Sequence, residues 1–306
     1  MADISKMFDA YMSNLNLIQE SKITDRADEY ICPICMRKYG KKDLAKLSLE
    51  DAPQQALGGR KIAITCRNCN NTCGHSIDNH LYNMLEYLER SHFLFGTDHR
   101  IKIIDLDKER PINATLEVKG KDDLKMLISE NNNNPYTLKE RLNKLVDGKE
   151  ITIQNEILNV NIRRASAAII KNAYIILFAK FGYSFILDNQ YDRIRKQIMN
   201  PEPYILPDGL WTMQKNLDLF DGVYLSGDNH YRGFFIAYTV MRRQLYRFLV
   251  FIPTPLVYYE KAAVIFRSID PGNRLSLVRI NNVDFLENKE NIKMIRNWTY
   301  SWNLKI

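Results

Sequence analysis

Long apolar runs are missing from this sequence. The longest, Ala173 to Ala179 between Lys171 and Lys180, falls far short of the roughly 20 residues a membrane-spanning helix needs. The first residues, Met1-Ala-Asp-Ile-Ser-Lys6, lack the apolar stretch after a basic start that marks a secretory signal. These absences predict a cytoplasmic protein with no membrane partner. Cysteine is scarce, with five in 306 residues, and four of them form two Cys-x-x-Cys pairs. In a reducing compartment such pairs point to metal binding rather than disulfides. There is no internal repeat, and no helix-turn-helix or other base-reading motif.

The 306 residues and 35.9 kDa suggest two domains. Hydrophobic residues make up 45% and charged residues 26%, so both domains can bury ordinary cores and a metal need not hold the whole chain together. The net charge of +7 is unevenly placed. Residues 1–100 hold 13 basic and 13 acidic side chains, so the excess lies in 101–306. A basic excess points, weakly, to a polyanionic partner.

Ile4, Met7, Phe8, Tyr11, Met12 and Leu15 recur at helical spacing and predict an amphipathic helix within residues 1–29, packed in cis. Residues 30–96 read as a compact module. It has a strand and knuckle at Tyr30–Tyr39, a strand at Leu47–Asp51 and a loop closed by Gly58-Gly59. A strand at Lys61–Thr65 follows, then a helix with Ile77, Leu81, Met84, Leu85 and Leu88 on one face. Residues 97–306 read as a larger α+β domain. Its expected strands are Ile101–Leu106, Ala114–Lys119, Leu124–Ile128 and Ile151–Val160, then Val223–Ser226, Gly233–Val240, Tyr246–Ile252, Val257–Phe266 and Leu275–Ile280. Its expected helices are Leu138–Val146, Ala165–Phe181 stopped by Gly182, and Tyr191–Met199. Asn131 to Pro135 reads as a surface loop.

Cys32-x2-Cys35 and Cys66-x2-Cys69 are two knuckles that can give four thiolates to one tetrahedral Zn²⁺. Four sulfurs close the coordination sphere, so this zinc is structural and any metal-dependent chemistry needs a second ion. A redox dithiol would need a thioredoxin-like context, which is absent.

The run Leu49-Glu50-Asp51-Ala52-Pro53, then Leu57-Gly58-Gly59-Arg60-Lys61, Thr65-Cys66-Arg67-Asn68-Cys69-Asn70-Asn71, Gly74 and Ile77-Asp78, resembles zinc-containing HNH endonucleases, the prokaryotic ββα-metal nucleases. The likeness to the motif covers about residues 30–92; a fainter one extends to Ala173–Tyr183 and Ile194-Arg195. It implies a structural Zn²⁺ and a catalytic Mg²⁺ or Mn²⁺, the latter stabilising the leaving oxygen of a phosphodiester. By this resemblance Glu50, Asn70 and Asp78 would hold the catalytic ion, and Lys61 would lie near the attacked phosphate. Asp51 stands where the family carries its general-base histidine. An aspartate, with a reference pKa of about 3.9, is a weak base, though it can orient a metal-bound water. His75 is a second candidate base or ligand. If the helix runs unbroken through Gly74, it shares one flank with Asn71 and Asp78; its bland reading is a solvated face. Cys73 reads as a buried residue without metal, and His80 and His92 as exposed or capping residues.

Arg60, Lys61, Arg67, Arg163, Arg164, Arg193 and Arg195 are candidate phosphate contacts, as are Lys196, Arg242, Arg243 and Arg247. Tyr183, Trp211, Tyr231 and Trp302 are candidate stacking residues. Each also has a bland reading, as a solvated, salt-bridged or core side chain. The leading expectation is a metal-dependent DNA endonuclease, of the kind often found in restriction or phage defence, with a regulatory partner or a second copy of the chain. RNA is an alternative substrate. The other alternative is an inactive zinc scaffold that binds nucleic acid or protein after losing the base histidine.

Overall fold

The computed structural model describes residues 3–19, 29–104, 111–121, 123–144, 151–155, 160–203, 205–214, 219–226, 232–260, 264, 277–281 and 283–300. Helices and strands are mixed, as expected. The chain divides into two compact units, residues 1–82 with 161–306 and residues 83–160. The second unit is therefore an insertion into the first. This differs from the expected boundary at residue 96. Gly96 is a genuine turn, with φ +77°, but segments on both sides of the insertion build the first unit's core together.

The first unit opens with α1 (Ile4–Gln19), whose Phe8, Tyr11, Leu15 and Ile18 are buried. The expected amphipathic stripe packs in cis. A short hairpin follows, β1 (Tyr30–Ile31) with β2 (Lys38–Tyr39), and its turn carries Cys32 and Cys35. Next come β3 (Leu47–Asp51) and β4 (Lys61–Cys66), antiparallel, with Leu47 opposite Cys66 and a register shift between Glu50 and Asp51. Gly58 takes φ +80° at the end of the turn joining them. At Gly59 a side chain would collide with the Pro53 carbonyl, so the glycine pair is a steric requirement. β4 leads directly into α2 (Arg67–Cys73), a π-helical turn (Gly74–Asp78) and α3 (Asn79–Ser91).

The insertion is a four-stranded antiparallel sheet with one helix. Its elements are β5 (Asp98–Ile104), β6 (Ile112–Val118), β7 (Leu124–Leu127), α4 (Pro135–Lys144) and β8 (Thr152–Asn155). The sheet order is β7-β6-β5-β8. Alternation puts Ile101, Ile103, Ile112, Ala114 and Leu116 on one face, where they form a core with Leu138 and Leu142 of α4.

The first unit resumes with α5 (Ile162–Phe181), buried along most of its length. Gly182, with φ +54°, ends it where a side chain would strike Asn14. Then come α6 (Asp192–Met199), β9 (Trp211–Met213), β10 (Gly222–Ser226), β11 (Gly233–Met241), β12 (Leu245–Pro253), β13 (Leu277–Arg279) and α7 (Lys289–Tyr300). The five strands pair antiparallel in the order β13-β10-β11-β12-β9. α5 lies against β11 and β12 and also against β4 and the π turn, so it is the packing hub of this unit. One expected strand is corrected. Val257 lies in a turn and Tyr259–Glu260 are helical, because Pro253 ends β12 and a turn at Thr254–Val257 follows; 261–263 and 265–266 lie outside the described residues.

Candidate functional site

The two knuckles converge. The sulfurs of Cys32, Cys35, Cys66 and Cys69 all lie within 4.8 Å of one another. Cys35 Sγ is 3.7 Å from Cys66 Sγ, close to the edge of a tetrahedron with zinc–sulfur bonds of about 2.3 Å. The backbone N–H groups of Cys66 and Cys69 point at Cys32 Sγ (3.5 Å) and Cys66 Sγ (3.4 Å), the environment a thiolate needs. Hydrogen bonding among the crowded thiols pushes Cys32 and Cys69 up and pulls Cys35 and Cys66 down, so without a cation all four cannot ionise together. The donor set fits a structural ion such as Zn²⁺. Met199 of α6 closes one side, its sulfur 3.7 Å from Cys69 Sγ. Cys73 stays outside the cluster, and burial pushes its thiol up to about 12.

The staple sets β3 against the start of α2. Asn70 donates from Nδ2 to the Leu49 carbonyl (3.0 Å) and to Ser48 Oγ (3.1 Å). Its amide nitrogen straps helix to strand; a metal would be ligated by its other atom, Oδ1. Glu50 lies on the same face of β3 as Ser48 and is 2% exposed. Its Oε2 accepts from Thr65 Oγ1 at 2.7 Å. Its Oε1 is 2.7 Å from Lys171 Nζ of α5, and the same ammonium is 2.7 Å from Asp78 Oδ2. The two expected ligand carboxylates therefore do converge on one cation, but that cation is a lysine side chain.

Burial disfavours the Lys171 charge, yet Glu50 and Asp78 outweigh it and hold the ammonium's pKa above its ordinary value. At Asp78 burial outweighs the pull of Lys171 and moves the carboxyl above the usual range. A second cation placed between these oxygens would meet the ammonium head-on. The residues do not fit a divalent ion while Lys171 holds its place.

The remaining candidates separate. Asp51, at the register shift, is half-buried, and burial raises its carboxyl despite Lys61 opposite. Lys61 and Arg60 are exposed. His75 and Asn71 are exposed whereas Asp78 is buried, so the expected shared flank is corrected. The π turn spends an extra residue per turn and rotates Asp78 inward. His80 is half-buried and His92 exposed.

Several of the expected phosphate contacts have partners within the chain. Arg195, 4% exposed, donates to the Ile186 (2.6 Å) and Asp188 (3.0 Å) carbonyls and pairs with Asp192 at 2.6 Å. Arg193 pairs with Glu260 at 2.6 Å and lies over the Tyr259 ring. Arg164 is 3.5 Å from Glu202, and Arg67 donates to the Leu47 carbonyl at 3.3 Å. Arg163 is exposed. Arg242 lies over Tyr82. Tyr183 is buried, its hydroxyl donating to the Ile31 carbonyl (2.6 Å) and accepting from the Ile31 N–H (3.0 Å). Trp211 packs on Phe248, and Tyr231 and Trp302 lie outside the described residues.

Lys171 escaped the motif reading. Its signal was a single charge inside the apolar stretch Ala165–Ala179, where a buried lysine demands buried counter-charge. No protein-family model, curated protein or solved structure matches this chain. Among the described residues no helix is long and apolar enough to cross a membrane.

Proposed function

We propose that the protein is a zinc-stapled nucleic-acid-binding protein, built on a nuclease-like ββα module that no longer cleaves. One observation carries this reading. Lys171 Nζ sits 2.7 Å from both Glu50 and Asp78, where a nuclease of the family it resembles would hold its divalent ion. Asp51 in the base position supports it independently, since a carboxylate is a poor base near neutral pH. The open basic residues Arg60, Lys61 and Arg163 leave positive charge for phosphates.

A second reading keeps cleavage: the convergence of Glu50 and Asp78 is also what a metal site requires, once Lys171 is displaced. One assay separates the two. Supercoiled plasmid is incubated with zinc-loaded full-length protein and Mg²⁺ or Mn²⁺, alongside Glu50→Ala and Asp78→Ala. The expected outcome is a gel shift without nicking by the wild-type protein; the two variants, each of which leaves the buried Lys171 short of a carboxylate, are compared once circular dichroism shows them folded. Metal-dependent nicking that disappears in either variant restores the endonuclease reading.

A further inference from the structure

The inserted unit carries a cleft of about 600 Å³ on the exposed face of its sheet. Its walls include Arg100 and Lys102 of β5, Thr115 of β6, Gln154 of β8, and Asn132. The face is graded. Cross-strand rungs run from Lys102–Asn113 through Arg100–Thr115 to Asp98–Glu117, so Arg100 and Lys102 stand clear of the acidic rung, where Glu117 faces Lys125 and pairs with Lys119. Among the described residues neither Arg100 nor Lys102 has an ion-pair partner, and no carboxylate lines the cleft.

The concavity is built rather than incidental. Asn133 clamps the backbone of Asn113, accepting from its N–H (2.8 Å) and donating to its carbonyl (2.9 Å). The Asn113 side chain in turn donates to the Asn132 carbonyl at 2.8 Å. These bonds hold the asparagine-rich loop against β6 as a wall, with Asn132 lining the cleft.

We infer that this cleft binds the phosphodiester backbone of a single nucleic-acid strand. Arg100 and Lys102 stand two residues apart on one strand, about 7 Å, a spacing on the scale of successive phosphates in an extended chain. The amides and the threonine hydroxyl offer hydrogen bonds to sugar and phosphate oxygens. Among the described residues no aromatic ring lines the cleft, so they offer no stacking platform and would read backbone, not sequence. The inference rests on the reading that the protein holds nucleic acid without cutting it.

The test is fluorescence anisotropy with labelled oligo(dT) and oligo(U), using the full-length protein and a salt titration. The variants are Arg100→Gln/Lys102→Gln and, in the first unit, Arg60→Gln/Arg163→Gln; all four residues are exposed, so the folds should survive. The inserted-unit variant is expected to bind on the order of ten-fold more weakly, with a log–log salt slope shallower by about 1.4. A difference between the two oligonucleotides shows whether the 2′ hydroxyl is read. If only the Arg60/Arg163 variant loses binding, the inference falls while the nucleic-acid reading stands. If wild type binds neither strand, or binds only heparin, both fall.

Discussion

Lys171 is the only charge between Ala165 and Ala179, and it is 1% exposed. An isolated ammonium there would be prohibitively costly, so it exists only because Glu50 and Asp78 reach it. Removing the lysine leaves two carboxylates buried together. Lys171→Met is therefore expected to destabilise the protein by about 3–5 kcal/mol in urea unfolding; a loss below about 1 kcal/mol would show that the pairing is not formed. Asp78 gives a pH test. Its folded pKa is raised above the unfolded value, so its contribution is complete below the unfolded pKa of about 3.8 and is lost as pH rises through the folded value. The stability difference between wild type and Asp78→Asn should shrink from pH 3 towards pH 6. A difference that grows instead would mean that Lys171, not burial, governs this carboxyl.

The β3–β4 hairpin and α2 are held in two ways, by four sulfurs at one end and by the Asn70 strap at the other. Asn70→Ala should cost about 1 kcal/mol by freeing the Leu49 carbonyl, while leaving the zinc content of the purified protein unchanged. A drop in zinc content would show that the strap, and not the knuckle spacing, sets the cluster. The strands themselves were legible. Leu47–Asp51 is observed as expected, because a β-hairpin closed by Gly58-Gly59 declares itself locally. The π turn was not legible. It depends on pulling Asp78 towards a lysine 93 residues away, which no local pattern encodes.

The first unit is assembled from chain segments on both sides of the 83–160 insertion, and the four-cysteine cluster that could hold a zinc ion lies in it. Chelating the metal should therefore raise amide hydrogen exchange in β3, β4 and α2 while the inserted sheet keeps its protection. Equal loss of protection in both would mean that the two units unfold as one. The inserted unit has its own core of Ile101, Ile103, Ile112, Leu116 and Leu138, so independent protection is the physical expectation. The expected boundary at residue 96 missed this arrangement. A real turn at Gly96 looks like a domain end in sequence, but only contacts can show that the chain later returns to the first core.

Local chemistry alone specified the two Cys-x-x-Cys pairs, the hairpin with its paired glycines, and the long buried helix with its glycine stop. Each is written in spacing or periodicity that a short stretch of chain enforces by itself. The tertiary structure decided what the acids at positions 50 and 78 meet. An ammonium from a distant helix stands between Glu50 and Asp78, and a charge can be buried only where the fold brings its partners.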